Sequence, residues 1–311
     1  MPIIDVHAHH VPESCLGMTG GPLPADRRVG DITDLARRLS DMDAMGVDVQ
    51  VMSAWMGFYS RDLETARRHN DALAASVATH PERFVGLAIV PLAEPEHAPR
   101  ELERAAKELG LRGVEIGTNV LGQNLDGAEL GPFFSKAEEL SLPIFIHPVN
   151  QLGIDRLGSY RLENLIGNVT ETAVAAASLI FGGVLDAFPR LTVYLAHGGG
   201  SCPYIRGRWD HGWQAQDLKA RNTRRPSGLP QEHVLRRADA LGRRLGVPGG
   251  RRGRGTGDAG DRLPLRDGGA PSGGGHQRSC RPDRRPEALH HERQRRRDVR
   301  PLVGAHEEKR T

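Results

Sequence analysis

Strand patterns alternate with helix patterns through about the first 213 residues of this 311-residue chain, and no other feature restricts the fold as strongly. Ile3, Ile4 and Val6 open a β-branched strand, and helical periodicity follows over 31–45 through Ile32, Leu35, Leu39 and Met42. Further strands are expected at 47–52, 84–90, 114–116, 143–147 and 191–197. Helices are expected at 62–78, 96–109, near 130–140, over 170–188 and after the glycines at 198–200. Thr170 is the expected N-cap of the long apolar helix, and Pro189 bounds its end. Six β-then-α units require a parallel sheet with helical crossovers, which leaves a (β/α)8 barrel or a doubly wound open sheet.

The histidines choose between the two. His7 and His9 close the first strand, His147 closes the fifth and His197 the sixth. Residues i and i+2 of a strand share a side, so His7 and His9 offer two imidazoles together. In a barrel the C-terminal strand ends converge on one pocket, whereas in an open sheet the first and sixth strands lie far apart. The barrel is therefore the expected fold. Taken singly, each histidine is as readily a core or capping residue as a metal ligand. Together they suit a catalytic zinc site, which uses three protein ligands and leaves one position open. Gly198, Gly199 and Gly200 allow a sharp turn directly after His197.

Beyond Trp213 the pattern fails. Residues 236–311 contain no Phe, Tyr, Trp, Ile or Met but hold 19 Arg, one Lys and 14 Gly, with 20 basic against 10 acidic residues. That leaves 22 basic and 29 acidic residues in 1–235, so the net +3 of the whole chain describes neither part. Two domains follow: a barrel over 1–235, incomplete because its seventh and eighth strands are replaced, and a basic Arg/Gly-rich tail over 236–311. The tail has too little apolar surface to offset the cost of ordering and is expected to be disordered. A high-GC gene read out of frame from about 226–240 would produce such a composition. Resequencing the locus tests this, and an intact frame without an indel refutes it.

Three widely spaced cysteines, Cys15, Cys202 and Cys280, make no disulfide framework and point to reducing cytoplasm. No run of about 18 apolar residues is present, so no membrane span is expected; a secretory leader is not expected either.

Several motifs together resemble the amidohydrolase-related metal-dependent decarboxylases of the 2-amino-3-carboxymuconate-6-semialdehyde decarboxylase type. They are Val6-His7-Ala8-His9, the run from Met42 to Val51, Ile146-His147-Pro148, Ala196-His197-Gly198-Gly199-Gly200-Ser201 and Gly207-Arg208-Trp209-Asp210. The resemblance covers about residues 1–225. It implies a distorted (β/α)8 barrel holding one divalent metal, usually zinc, with His7, His9 and His147 as ligands. His197 would be the base toward metal-bound water. Arg208 would reach the neighbouring subunit's site to hold a substrate carboxylate, which implies a homodimer, and Arg27 or Arg28 would share that task. Two departures stand out. Val149 replaces a tryptophan that follows the His-Pro pair, and no aspartate occurs in the strand-8 setting before an aromatic and a proline, Asp258 being the nearest echo.

The implied activity is decarboxylation of a small unsaturated or aromatic carboxylic acid. Two alternatives stay with the same site: a metal-dependent hydrolase of a lactone or amide, and a catalytically impaired chain lacking the aspartate. Nucleic-acid binding by the arginines is the weaker reading, since the tail has no aromatics for base stacking and the body is acidic.

Overall fold

The computed structural model describes residues 2–19, 29–215, 218, 220–228 and 234–235. Arg27, Arg28, Cys280, Asp258 and the whole 236–311 segment lie outside the described residues. Seven parallel strands form one sheet in chain order: β1 Ile4–His9, β2 Val49–Ser53, β3 Phe84–Ala88, β4 Gly113–Gly117, β5 Ile144–His147, β6 Val193–Leu195 and β7 Val234–Leu235. Chain order in a parallel sheet, with a helix in each crossover, is the order of a (β/α)8 barrel. The two-residue β7 pairs beside β6, where the sequence pattern shows no strand. Among the described residues there is no eighth strand. A small antiparallel hairpin, Asn119–Val120 with Gln123–Asn124, follows β4.

The crossover helices are α1 Leu35–Met45, α2 Leu63–Thr79, α3 Ala98–Lys107, α4 Gly131–Glu139, α5 Asn168–Phe181 and α6 Cys202–Ala215. Local chemistry sets their ends. The periodicity over 31–45 is broken at Asp34, whose backbone is extended and whose side chain caps α1 by accepting from the Arg37 N–H at 3.0 Å. Gly46, at φ 69°, closes the same helix. Asp62 caps α2 in the same manner. Thr170 is not a cap, because a π-helical turn over Glu163–Gly167 runs directly into α5. That junction makes Glu163–Phe181 a 19-residue helical stretch of mean hydropathy 1.2, long and apolar enough for a membrane span by composition. Half of it is buried, as suits the core helix of a barrel.

The core has an inner and an outer layer. Val6, Val49, Val51, Leu87, Phe145, Tyr194 and Ala196 fill the barrel interior. Between sheet and helices lies a larger cluster that includes Leu102, Ile116, Phe133, Ile144, Ile146 and Leu179. Burial of these side chains is the main favourable term in folding.

Candidate metal centre

Strict alternation along β1 would send Val6 and His7 to opposite faces. The register prevents that: Asp5 pairs with Gln50 but Ala8 pairs with Met52, so β1 carries one extra residue and Val6 and His7 together oppose Val51. This β-bulge turns His7 inward with Val6 and keeps His9 on the same side. Asp5, facing outward, supports the kink. Its Oδ1 accepts the His7 N–H at 3.2 Å and its Oδ2 accepts from Gln50 at 2.8 Å. Arg38 of α1 then bridges Gln50 and the His9 carbonyl at 2.8 and 2.7 Å.

Four imidazoles meet at the C-terminal end of the sheet. Ring centroids of His7 lie 5.1 Å from His9, 5.0 Å from His147 and 5.4 Å from His197. His147 lies 4.7 Å from His9 and 5.4 Å from His197. Five strand spacings separate β1 from β6, roughly 24 Å in a flat sheet, so the His7–His197 distance requires a strongly curved, barrel-like sheet. The expectation of a barrel over an open sheet is met on this point.

His197 differs from the sequence reading in one respect. β6 ends at Leu195, and His197 sits two residues later in left-handed backbone at φ 54° and ψ 44°. This region is sparsely used by residues other than glycine, and strain of this kind gathers at functional sites. Gly198 continues the left-handed turn at φ 61°. At Gly200 a Cβ would run into the Val169 carbonyl of α5, so only glycine fits.

The donor set fits a divalent cation. The ring nitrogens of His7, His147 and His197 come within 4.8 Å of one another. His9 donates from Nδ1 to the Ala54 carbonyl at 2.7 Å, which leaves the Nε2 lone pair for coordination. Burial holds the His147 pKa well below the usual histidine value, with further depression from His9, His7 and His197. Neutral imidazole is the ligating form. Among the described residues no carboxylate joins the group, in line with the absence of the strand-8 aspartate motif.

The sequence reading missed three neighbours. Trp55 packs edge-on against His9 at 5.5 Å, and Tyr59 lies 6.1 Å from His147. Glu115, at the middle of β4, is 1% exposed, and burial raises its pKa to about 8 against the lowering effect of hydrogen bonds from Tyr59, Ala54 and Ser53. Arg208 is not brought to this centre; it lies exposed on α6.

Comparison with known proteins agrees with this geometry. The family profile described as Amidohydrolase matches residues 4–259, past the 235 boundary drawn from composition. A 2-amino-3-carboxymuconate-6-semialdehyde decarboxylase of Dictyostelium discoideum is 41% identical over 185 residues, 58% of this chain and 52% of its own length. The chain thus spans about half of that relative. Among solved structures, 5-carboxyvanillate decarboxylase from Sphingomonas paucimobilis superimposes with a TM-score of 0.69 at 27% identity, covering 79% of this chain and 85% of that one. A dihydroxybenzoic acid decarboxylase from a Polaromonas species, with bound manganese and the inhibitor 2-nitroresorcinol, has a TM-score of 0.64 at 30% identity, covering 75% and 77%.

Proposed function

Because this chain belongs to the amidohydrolase family, we propose that it is a metal-dependent carboxy-lyase acting on a small unsaturated or aromatic carboxylic acid. The observation that carries this reading is the convergence of four imidazoles from β1, β5 and the turn after β6. His7, His9 and His147 would hold one divalent cation, although the trio whose ring nitrogens lie within 4.8 Å of one another takes His197 in place of His9. A cation so held supplies Lewis acidity and lowers the pKa of water from ~15.7 to about 7. The all-imidazole donor set suits zinc, and manganese, bound in the Polaromonas relative, is the competing ion. Metal analysis of the purified chain decides between them.

His197 accepts a proton at the open side of the site, its ring held against those of His7 and His147 by the left-handed turn. Trp55 and Tyr59 pack beside His9 and His147 and give that side of the centre an apolar, aromatic wall. Assaying CO2 release and ring opening over a panel of carboxylated and lactone substrates tests the reaction. CO2 release that disappears on chelation and returns with metal is the expected result. Ring opening without CO2 would establish the hydrolase reading instead.

We place Arg208 in the site of a partner subunit, where its guanidinium fork holds the substrate carboxylate. Its exposure on α6 leaves it available for that role. Exposed Leu152, Ile154, Tyr160 and Tyr204 supply apolar surface consistent with a homodimer. Arg208→Ala is expected to raise KM at least tenfold. Mixing it with an inactive His147→Ala chain is expected to restore activity, because each hybrid dimer regains one complete site. No complementation in a mixed dimer would refute the shared site. The buried thiol of Cys15 suits a reducing cytoplasm.

A further inference from the structure

Glu115 is a carboxyl group inside the barrel with no place in the scheme above. It sits on β4 opposite Phe145, within the interior layer, and its two oxygens are both engaged. Oε2 accepts the Ala54 N–H at 2.5 Å, and Oε1 lies 2.5 Å from the Tyr59 hydroxyl. That hydroxyl is also 3.3 Å from the Ala54 carbonyl oxygen. The same carbonyl oxygen accepts from His9 Nδ1 at 2.7 Å, with Ser53 Oγ 3.3 Å from that nitrogen. A closed ring of contacts therefore joins Glu115, Tyr59 and Ala54, and His9 hangs from it.

Oε2 accepts from the Ala54 N–H and Oε1 accepts from the Tyr59 O–H, which also reaches the Ala54 carbonyl oxygen. Ala54 stands directly after β2, and Glu115 holds it from both sides, gripping its N–H directly and its carbonyl through the Tyr59 hydroxyl. The carbonyl in turn decides which ring nitrogen of His9 carries the proton.

We propose that Glu115 is a positioning residue for the metal centre: by fixing Ala54 it holds His9 in the Nδ1–H tautomer, with Nε2 turned toward His7 and His147. This rests on the metal-centre reading given above. A carboxyl that merely filled space would be replaceable by any side chain of its size. A positioning carboxyl is replaceable only by a side chain that also offers an acceptor to Ala54 and a hydrogen-bond partner to Tyr59, as glutamine does.

The test uses the full chain and Co2+ as the probe, with the visible d–d band and chelator competition as readouts. Nitrogen-15 spectra of the histidines in the metal-free protein report the tautomer. Glu115→Ala is expected to weaken Co2+ binding by roughly 10–100-fold, the usual cost of losing a partner behind a ligand, and to populate both His9 tautomers. Glu115→Gln is expected to bind within about threefold of the unmodified chain, with the Nδ1–H tautomer retained. Should the alanine variant fail to fold, Glu115→Met keeps the volume without the acceptor and carries the same expectation. Unchanged Co2+ affinity, band and tautomer in the alanine or methionine variant would overturn the inference. So would a glutamine variant as impaired as the methionine one. If the unmodified chain takes up no Co2+, the metal-centre reading fails, while the tautomer comparison still decides whether Glu115 orients His9.

Discussion

Replacing His147 with alanine is expected to remove bound metal and catalysis together. His147 is 3% exposed and its ring lies within 5.4 Å of those of His7, His9 and His197, so it is the hub of the cluster. Without it two ligands remain on β1, too few for a closed coordination sphere. Affinity should fall by at least about 100-fold, beyond the loss that follows removal of a partner behind a ligand, and turnover by about a thousandfold or more. His97→Ala is the control, since His97 is exposed beside Glu96 and far in sequence from the cluster. Elemental analysis after gel filtration and a CO2-release assay read the outcome. A His147→Ala chain that kept its metal and its activity would remove His147 from the site.

The order of the six βα units was legible because strand and helix patterns have different periods, and the barrel was legible because its histidines all fall near strand C-termini. What sequence could not display was contact made across the sheet. The bulge in β1 depends on the pairing with β2, not on any residue of Ile4–His9 alone. Leu191–His197 reads as one apolar strand, yet its ladder ends at Leu195 because His197 and Gly198 turn left-handed. Asp34 inside an apolar period was a signal for a helix break that periodicity overrode. Glu115, between Val114 and Ile116, reads as the solvent side of an amphipathic strand. Only the interior partners Ala54 and Tyr59 reveal it as buried. Arg208 illustrates the reverse: the motif is plain in sequence, while the role proposed for it requires a second subunit. The 236–311 composition break is equally plain, and β7 at 234–235 is the last strand among the described residues. The family match to 259 makes the junction the place to resequence.

Stability of the metal-free chain is expected to pass through a maximum at about pH 6.5, near the ordinary histidine pKa, and the signs follow from three buried groups. Burial lowers His10 to about 3, with Arg38 adding to the effect, and lowers His69 to about 4. Both are neutral in the folded chain at pH 5 but charged in the unfolded one, so the unfolded state binds two more protons there. Glu115, raised to about 8, works in the opposite sense and holds one extra proton in the folded state above its ordinary 4.5. Between about pH 4.5 and 6.5 the histidines prevail by two protons to one, and stability rises with pH. His147 is depressed in the same direction and steepens that limb. Above about 6.5 the histidines no longer differ between the states, so Glu115 alone remains and stability falls as pH approaches 8. The falling limb is worth on the order of a few kcal/mol. Urea denaturation midpoints at pH 5, 6.5 and 8 in the presence of EDTA measure both limbs. Glu115→Gln cannot ionise, so it should abolish the falling limb and exceed the unmodified chain at pH 8, while the rising limb stays. A falling limb that survives unchanged in Glu115→Gln would mean that some other group titrates there, and that Glu115 is not the neutral acid its surroundings require.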